Sequence, residues 1–163
     1  MNSSPEITRN GIVLVLSISP IDEDHFFLQD VLNRLQGTLD PSRTFTVNSC
    51  ATLASGLAAL RKRQFEVVVC ERDLQSGSWK DVLEQATILP DPPSLIVTSR
   101  LADERLWAEA LNLGAHDVLA KPFDSNEALR VIGAAWRAWG RPVRPPMRQE
   151  RYRCKVALTA EIS

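Results

Sequence analysis

A chain of 163 residues that is 44% hydrophobic and 24% charged, with 19 basic and 20 acidic residues and a formal net charge of −1, has the composition of one soluble globular domain able to bury its own core. Its three cysteines, Cys50, Cys70 and Cys154, form no CxxC pair, which argues against a disulfide framework or a cysteine zinc site and suits a reducing cytoplasm. No apolar run approaches the ~18 residues of a membrane span, the start MNSSPEITRN lacks a signal-peptide pattern, and a near-neutral charge gives no general attraction for a polyanion.

Residues 1–9 read as a polar lead-in and 10–139 as one domain. Gly11 to Leu16, GIVLVL, is a short continuous apolar run, the pattern of a strand buried on both faces. A helix follows, with Phe27, Val31, Leu32 and Leu35 at helical spacing. The acids Asp22, Glu23 and Asp24 crowd its first turn, where they favour the helix dipole, and Gly37 is its expected stop. RTFTVNSC alternates like a half-buried edge strand, with Phe45 and Val47 inward. ATLASGLAALRKR is helical, with Leu53, Leu57 and Leu60 on one face. FEVVVC is a third strand. Ser78 and Asp81 form a near capping box for the next helix. DPPSLIVTSR is a loop and a strand; DERLWAEALNLGA is a helix closed by Gly114. HDVLAKPF is a short strand with a proline stop. A last helix begins at Asp124 or Ser125 and ends at Gly140. Strict strand–helix alternation, five of each, predicts an α/β domain with a parallel sheet and helices on both faces.

Open sheets of this kind bind ligands at the carboxyl ends of their strands. Those ends read Ser17-Ile18, Cys70-Glu71, Thr98-Ser99 and Lys121-Pro122, so an acid, a hydroxyl and an amine converge on one rim. ERDLQSGSW, with Leu74, Gly77 and Ser78 in register behind Glu71, then Thr98-Ser99 and GAHDVLAKPF, resembles the receiver domain of bacterial two-component response regulators over roughly residues 10–139. The resemblance implies a doubly wound, flavodoxin-like strand order 2-1-3-4-5 and a signalling module rather than an enzyme. It implies Glu71 at the phosphoacceptor position, with Asp73 as the alternative, Thr98 and Lys121 supporting the phosphate, Val118 at the switch position, and Glu66 in the place of the acid that often starts the third strand. Its partners would be a histidine kinase or an output domain.

Several positions depart from the family pattern. The acidic pair that holds Mg²⁺ after the first strand reads Ser17 and Ile18, and the switch aromatic is Val118. Mg²⁺ needs hard oxygen ligands in near-octahedral geometry, and one carboxylate is a poor cage. The expectation is a pseudo-receiver with no bound metal. In it Glu71 pairs with Lys121 or Thr98 and partly imitates an acyl phosphate, and the domain works by protein–protein contacts. A phosphorylatable receiver using Glu71 or Asp73 is the alternative. A small enzyme or nucleotide-binding protein on this fold is a third reading, disfavoured because SISPIDED has no glycine to cradle a phosphate. Trp107 on the fourth helix, or Trp136 and Trp139 on the last, could serve a homodimer through helix 4, strand 5 and helix 5. Cys70 reads as a small buried hydrophobe.

Residues 140–163 form a basic, proline-containing tail, with six bases and one acid between Gly140 and Lys155. It reads as a linker or the lead-in to a further domain; RQERYRCKVALTAEIS faintly resembles the start of a PilZ domain, which would bring cyclic di-GMP as a ligand. Its charge could attract nucleic acid, but no recognition element accompanies it.

Overall fold

The computed structural model describes residues 11–38 and 41–139. The expected lead-in 1–9, the tail 140–163 with its PilZ resemblance, Cys154 and the Gly140 helix end lie outside the described residues. The elements run β1 (Ile12–Ile18), α1 (Asp22–Thr38), β2 (Thr44–Cys50), α2 (Leu53–Lys62), β3 (Val67–Glu71), β4 (Asp73–Leu74), β5 (Gly77–Ser78), α3 (Trp79–Thr87), β6 (Ser94–Ser99), α4 (Glu104–Leu113), β7 (Asp117–Ala120) and α5 (Ser125–Ala138).

Five strands form one sheet in the order β2-β1-β3-β6-β7, and every ladder in it is parallel. Renumbered by position in the main sheet this is the flavodoxin-like order 2-1-3-4-5. The pleat sorts the core into two layers. Leu16 and Ile18 of β1, Val68 and Cys70 of β3, Leu95 and Val97 of β6 and Val118 of β7 pack with α2, α3 and α4. Their neighbours Val13, Val15, Val67, Val69, Ile96 and Leu119 pack with α1 and α5. Because both faces are covered, the central strands are apolar at successive positions rather than alternating.

The caps explain where the helices start. Ser78 and Asp81 exchange the two bonds of a capping box at α3, and Thr52 and Ser55 do the same at α2. Asp103 and Asp124 accept from backbone amides at the starts of α4 and α5. Gly114 closes α4 at φ 116°, the left-handed conformation that favours glycine. Gly37, the expected stop of α1, does not end it. The helix runs on to Thr38, whose hydroxyl donates to the Arg34 carbonyl at 2.9 Å. The alternation also gave no hint of the two-residue antiparallel ladder β4–β5, which folds the Gln75-Ser76 turn back after β3.

Candidate functional site

The pleat decides which strand-end side chains can meet. Glu71 follows Val67 and Val69 by steps of two, Thr98 follows Ile96, and Lys121 follows Leu119, so all three continue the rows that face α1 and α5. Glu71 and Thr98 are direct partners across the β3–β6 ladder. The Thr98 hydroxyl donates to Glu71 Oε2 at 2.9 Å, and Lys121 Nζ lies 2.5 Å from the same oxygen.

A third group completes the cluster. Asp24, in the first turn of α1, places Oδ2 2.5 Å from Lys121 Nζ. It also accepts from the Ser19 hydroxyl at 2.6 Å. Lys121, Asp24 and Glu71 are only 7%, 11% and 17% exposed at their side chains, so little water screens them. One ammonium thus sits between two carboxylates from different elements, and the three groups together carry one net negative charge.

Reading the acids of α1 as dipole partners fits Asp22 and Glu23, which are exposed, but misses Asp24, which is buried. A signal was present: Asp24 lies four residues before Leu28, and Leu28, Val31, Leu32 and Leu35 form the buried stripe of α1. The acid extends that stripe by one turn, and inward-facing acids are seldom left without a cation.

Ser17 and Ile18 are sent to opposite sides of the sheet. Ser17 is 1% exposed and its hydroxyl lies 2.7 Å from His25 Nδ1. The other ring nitrogen, Nε2, is 2.9 Å from the Ser19 carbonyl. A carbonyl only accepts, so Nε2 carries hydrogen, and in the neutral ring Nδ1 accepts from Ser17. Ile18 is fully buried in the other layer, where its side chain lies against Gly56 of α2. Ser19, not Ile18, is the β1-end residue that reaches the acidic cluster.

Asp73 stands apart from the cluster, 81% exposed and 3.7 Å from its neighbour Arg72. Val118 is fully buried between β6 and α4. Cys70 is buried as well; its thiol donates to the Glu71 carbonyl at 3.3 Å. Burial, and then the charge of Glu71, push that thiol above the ordinary cysteine range, so it is no nucleophile at neutral pH. Glu66 and Trp136, at the opposite end of the sheet, meet each other: the indole N–H donates to Glu66 Oε2 at 2.7 Å, and the indole packs edge-on to Phe45. Trp136 is therefore tied into the α5 contact with β2 and β3. Among the described residues, no three His, Cys, Asp or Glu side chains are grouped to hold a metal ion, and no helix is long and apolar enough to cross a membrane.

Comparison with known proteins agrees with the fold. The chain is 28% identical over 130 residues to the acid tolerance regulatory protein ActR of Rhizobium meliloti, covering 80% of this chain and 63% of that protein. It thus spans less than two thirds of that relative's length. It is 25% identical over 137 residues to the photosynthetic apparatus regulatory protein RegA of Cereibacter sphaeroides, covering 84% and 72%. In fold it matches a response regulator from Thermotoga maritima with a TM-score of 0.66 at 16% identity, over 77% of this chain and 98% of that one. A two-component response regulator from Clostridium difficile superposes with a TM-score of 0.64 at 15% identity, over 77% and 96%. Residues 21–132 match the response regulator receiver domain model, and the chain belongs to that family of two-component signalling modules.

Proposed function

We propose that this receiver is a pseudo-receiver, held in one state and acting through protein–protein contacts rather than by accepting phosphate. The observation that carries the reading is the double engagement of Glu71. Its Oε2 lies 2.5 Å from the Lys121 ammonium and accepts from Thr98 at 2.9 Å. Glu71 reaches, from its own side chain, the amine and the hydroxyl that would otherwise grip a phosphoryl oxygen. It imitates that group with one negative charge instead of about two.

The chemistry of transfer argues the same way. Bringing a phosphoryl group to a carboxylate needs a cation that offsets the developing charge and bridges the reacting oxygens. Mg²⁺ demands close oxygen ligands in near-octahedral order. Here Ser17 turns to His25, Ile18 lies in the core, and both nearby carboxylates are bonded to Lys121. This donor set does not fit Mg²⁺.

The partner is a signalling protein, an output domain or a histidine kinase, in the bacterial cytoplasm. The contact face we favour is α4–β7–α5, which could also pair two copies. Val118 in place of a switch aromatic leaves that face static. The tail's readings, cyclic di-GMP through a PilZ domain among them, rest on residues outside those described.

Incubation with acetyl phosphate and Mg²⁺, followed by intact mass and peptide mapping with the acyl phosphate trapped, tests the reading. No phosphoryl adduct is expected. A stoichiometric adduct on Glu71 or Asp73 would instead establish a phosphorylatable receiver.

A further inference from the structure

The site carries a cation already. Lys121 Nζ lies 2.5 Å from Asp24 Oδ2 and 2.5 Å from Glu71 Oε2, so the two oxygens can be no farther apart than those distances together. Oxygens gathered that closely around one positive centre are the arrangement that carboxylates adopt around a bound divalent ion. The centre here is an ammonium on a side chain 7% exposed, with a donor from Ser19 on one carboxylate and a donor from Thr98 on the other. The Lys121 stem is fixed too: Nζ sits 5.7 Å from the centroid of Phe123, which is stacked on Phe27 of α1 at 4.8 Å.

Resting on the pseudo-receiver reading above, we propose that Lys121 is the permanent cation of this site. Asp24, supplied by α1 rather than by a strand end, is the positioning residue that holds the ammonium in the place a metal would take. The consequence is a latent cation site. This chain's loss of the family's strand-end acids is compensated by one acid from the helix, and that acid is engaged by the protein's own lysine. Removing the ammonium leaves two carboxylates together with the Ser19 and Thr98 hydroxyls. That pair needs a counter-ion, and a divalent cation supplies one with the oxygen ligands it prefers.

The test uses Mn²⁺ as the probe and the full chain, by titration calorimetry and thermal melting. Wild type is expected to show no saturable binding at the site. Lys121→Ala is expected to bind Mn²⁺ at least about ten-fold more tightly than wild type and to melt higher with it, and Lys121→Ala/Asp24→Asn to lose that gain. Equal affinity of wild type and Lys121→Ala, or a folded Lys121→Ala without the gain, overturns the proposal.

Should Lys121→Ala not fold, acylation of the wild-type lysines with peptide mapping decides the matter. Lys121 should react at least about ten-fold more slowly than the exposed Lys62 and Lys80, and Asp24→Asn should restore part of its rate. Reaction of Lys121 at the Lys62 rate sinks the idea. Metal binding by wild type without a phosphoryl adduct would overturn the resident cation alone; an acetyl-phosphate adduct would overturn the pseudo-receiver reading itself.

Discussion

Two ionisable groups follow one another at the end of β3, and the pleat sends them opposite ways. Glu71 faces α1 and meets its cation, while Cys70 enters the apolar layer under α2 and α3, its thiol reaching only the Glu71 carbonyl. The difference in chemistry follows from that half-turn. Glu71 keeps an ammonium and a hydroxyl at contact; a thiol in an apolar layer beside a carboxylate stays protonated. The sign for stability is definite. The folded state holds the Cys70 proton more tightly than the unfolded chain does, so above the ordinary thiol value of 9.0 stability falls as pH rises. Below that value the group is protonated in both states and adds no slope. We expect iodoacetamide at pH 8 to leave Cys70 unmodified in the folded protein and to label it fully in urea, as peptide mapping would show. Rapid labelling of Cys70 in the folded chain would contradict its placement in the core.

At the scale of elements, β1 and α2 approach closely at Gly56. A Cβ on Gly56 would lie 2.5 Å from Ile18 Cδ1 and 2.9 Å from its Cγ1, and Ile18, fully buried, has nowhere to retreat. Gly56→Ala should gain about 1 kcal/mol of helix propensity but lose about 1–3 kcal/mol to overpacking, so a net loss is expected in urea unfolding. Ile18→Val removes the nearest methyl, and in that background Gly56→Ala should cost less, although Cγ1 at 2.9 Å still crowds the new Cβ. Additive effects of the two changes would show that the contact is not the cause. The same residue marks the limit of what the sequence could convey. Resemblance assigned Ser17 and Ile18 to an acidic-pair position, but which residue of a strand end faces the rim depends on the pleat's phase, and an unbroken apolar run hides that phase. Helix α1 shows the converse. Its acidic first turn had a sufficient local explanation in the dipole, so nothing in the spacing of Asp22, Glu23 and Asp24 forced one of them inward. Only the buried stripe through Leu28, carried back four residues, singles out Asp24.

Over the whole molecule, strand order and layer assignment were legible because they depend on many residues at once: five apolar runs separated by capped amphipathic helices admit few arrangements. Site identity rests on a handful of side chains, and each can be displaced by one competing contact. The pseudo-receiver reading turns on how those few side chains couple to the α4–β7–α5 face, which Lys121 adjoins at the end of β7. In a two-state receiver a phosphoryl group would have to bind one conformation better than the other to shift the balance. Here the ammonium and hydroxyl available for that differential contact are already occupied by Glu71. Within that face β7 carries Val118, fully buried and without a polar or aromatic group to reorient. On that reading beryllium trifluoride with Mg²⁺, an imitation of the acyl phosphate, meets a Glu71 oxygen already engaged by Lys121 and Thr98 and has no lever to pull at Val118. The backbone amide spectrum of α4, β7 and α5 is expected to remain unchanged at saturating reagent. Glu71→Gln weakens the ion pair while keeping the shape, and should move the amides around Thr98 and Lys121 but not those of Leu106, Trp107 and Leu111 on α4. Concerted shifts along α4 in either experiment would mean that the domain retains a second state and that the rim still controls it.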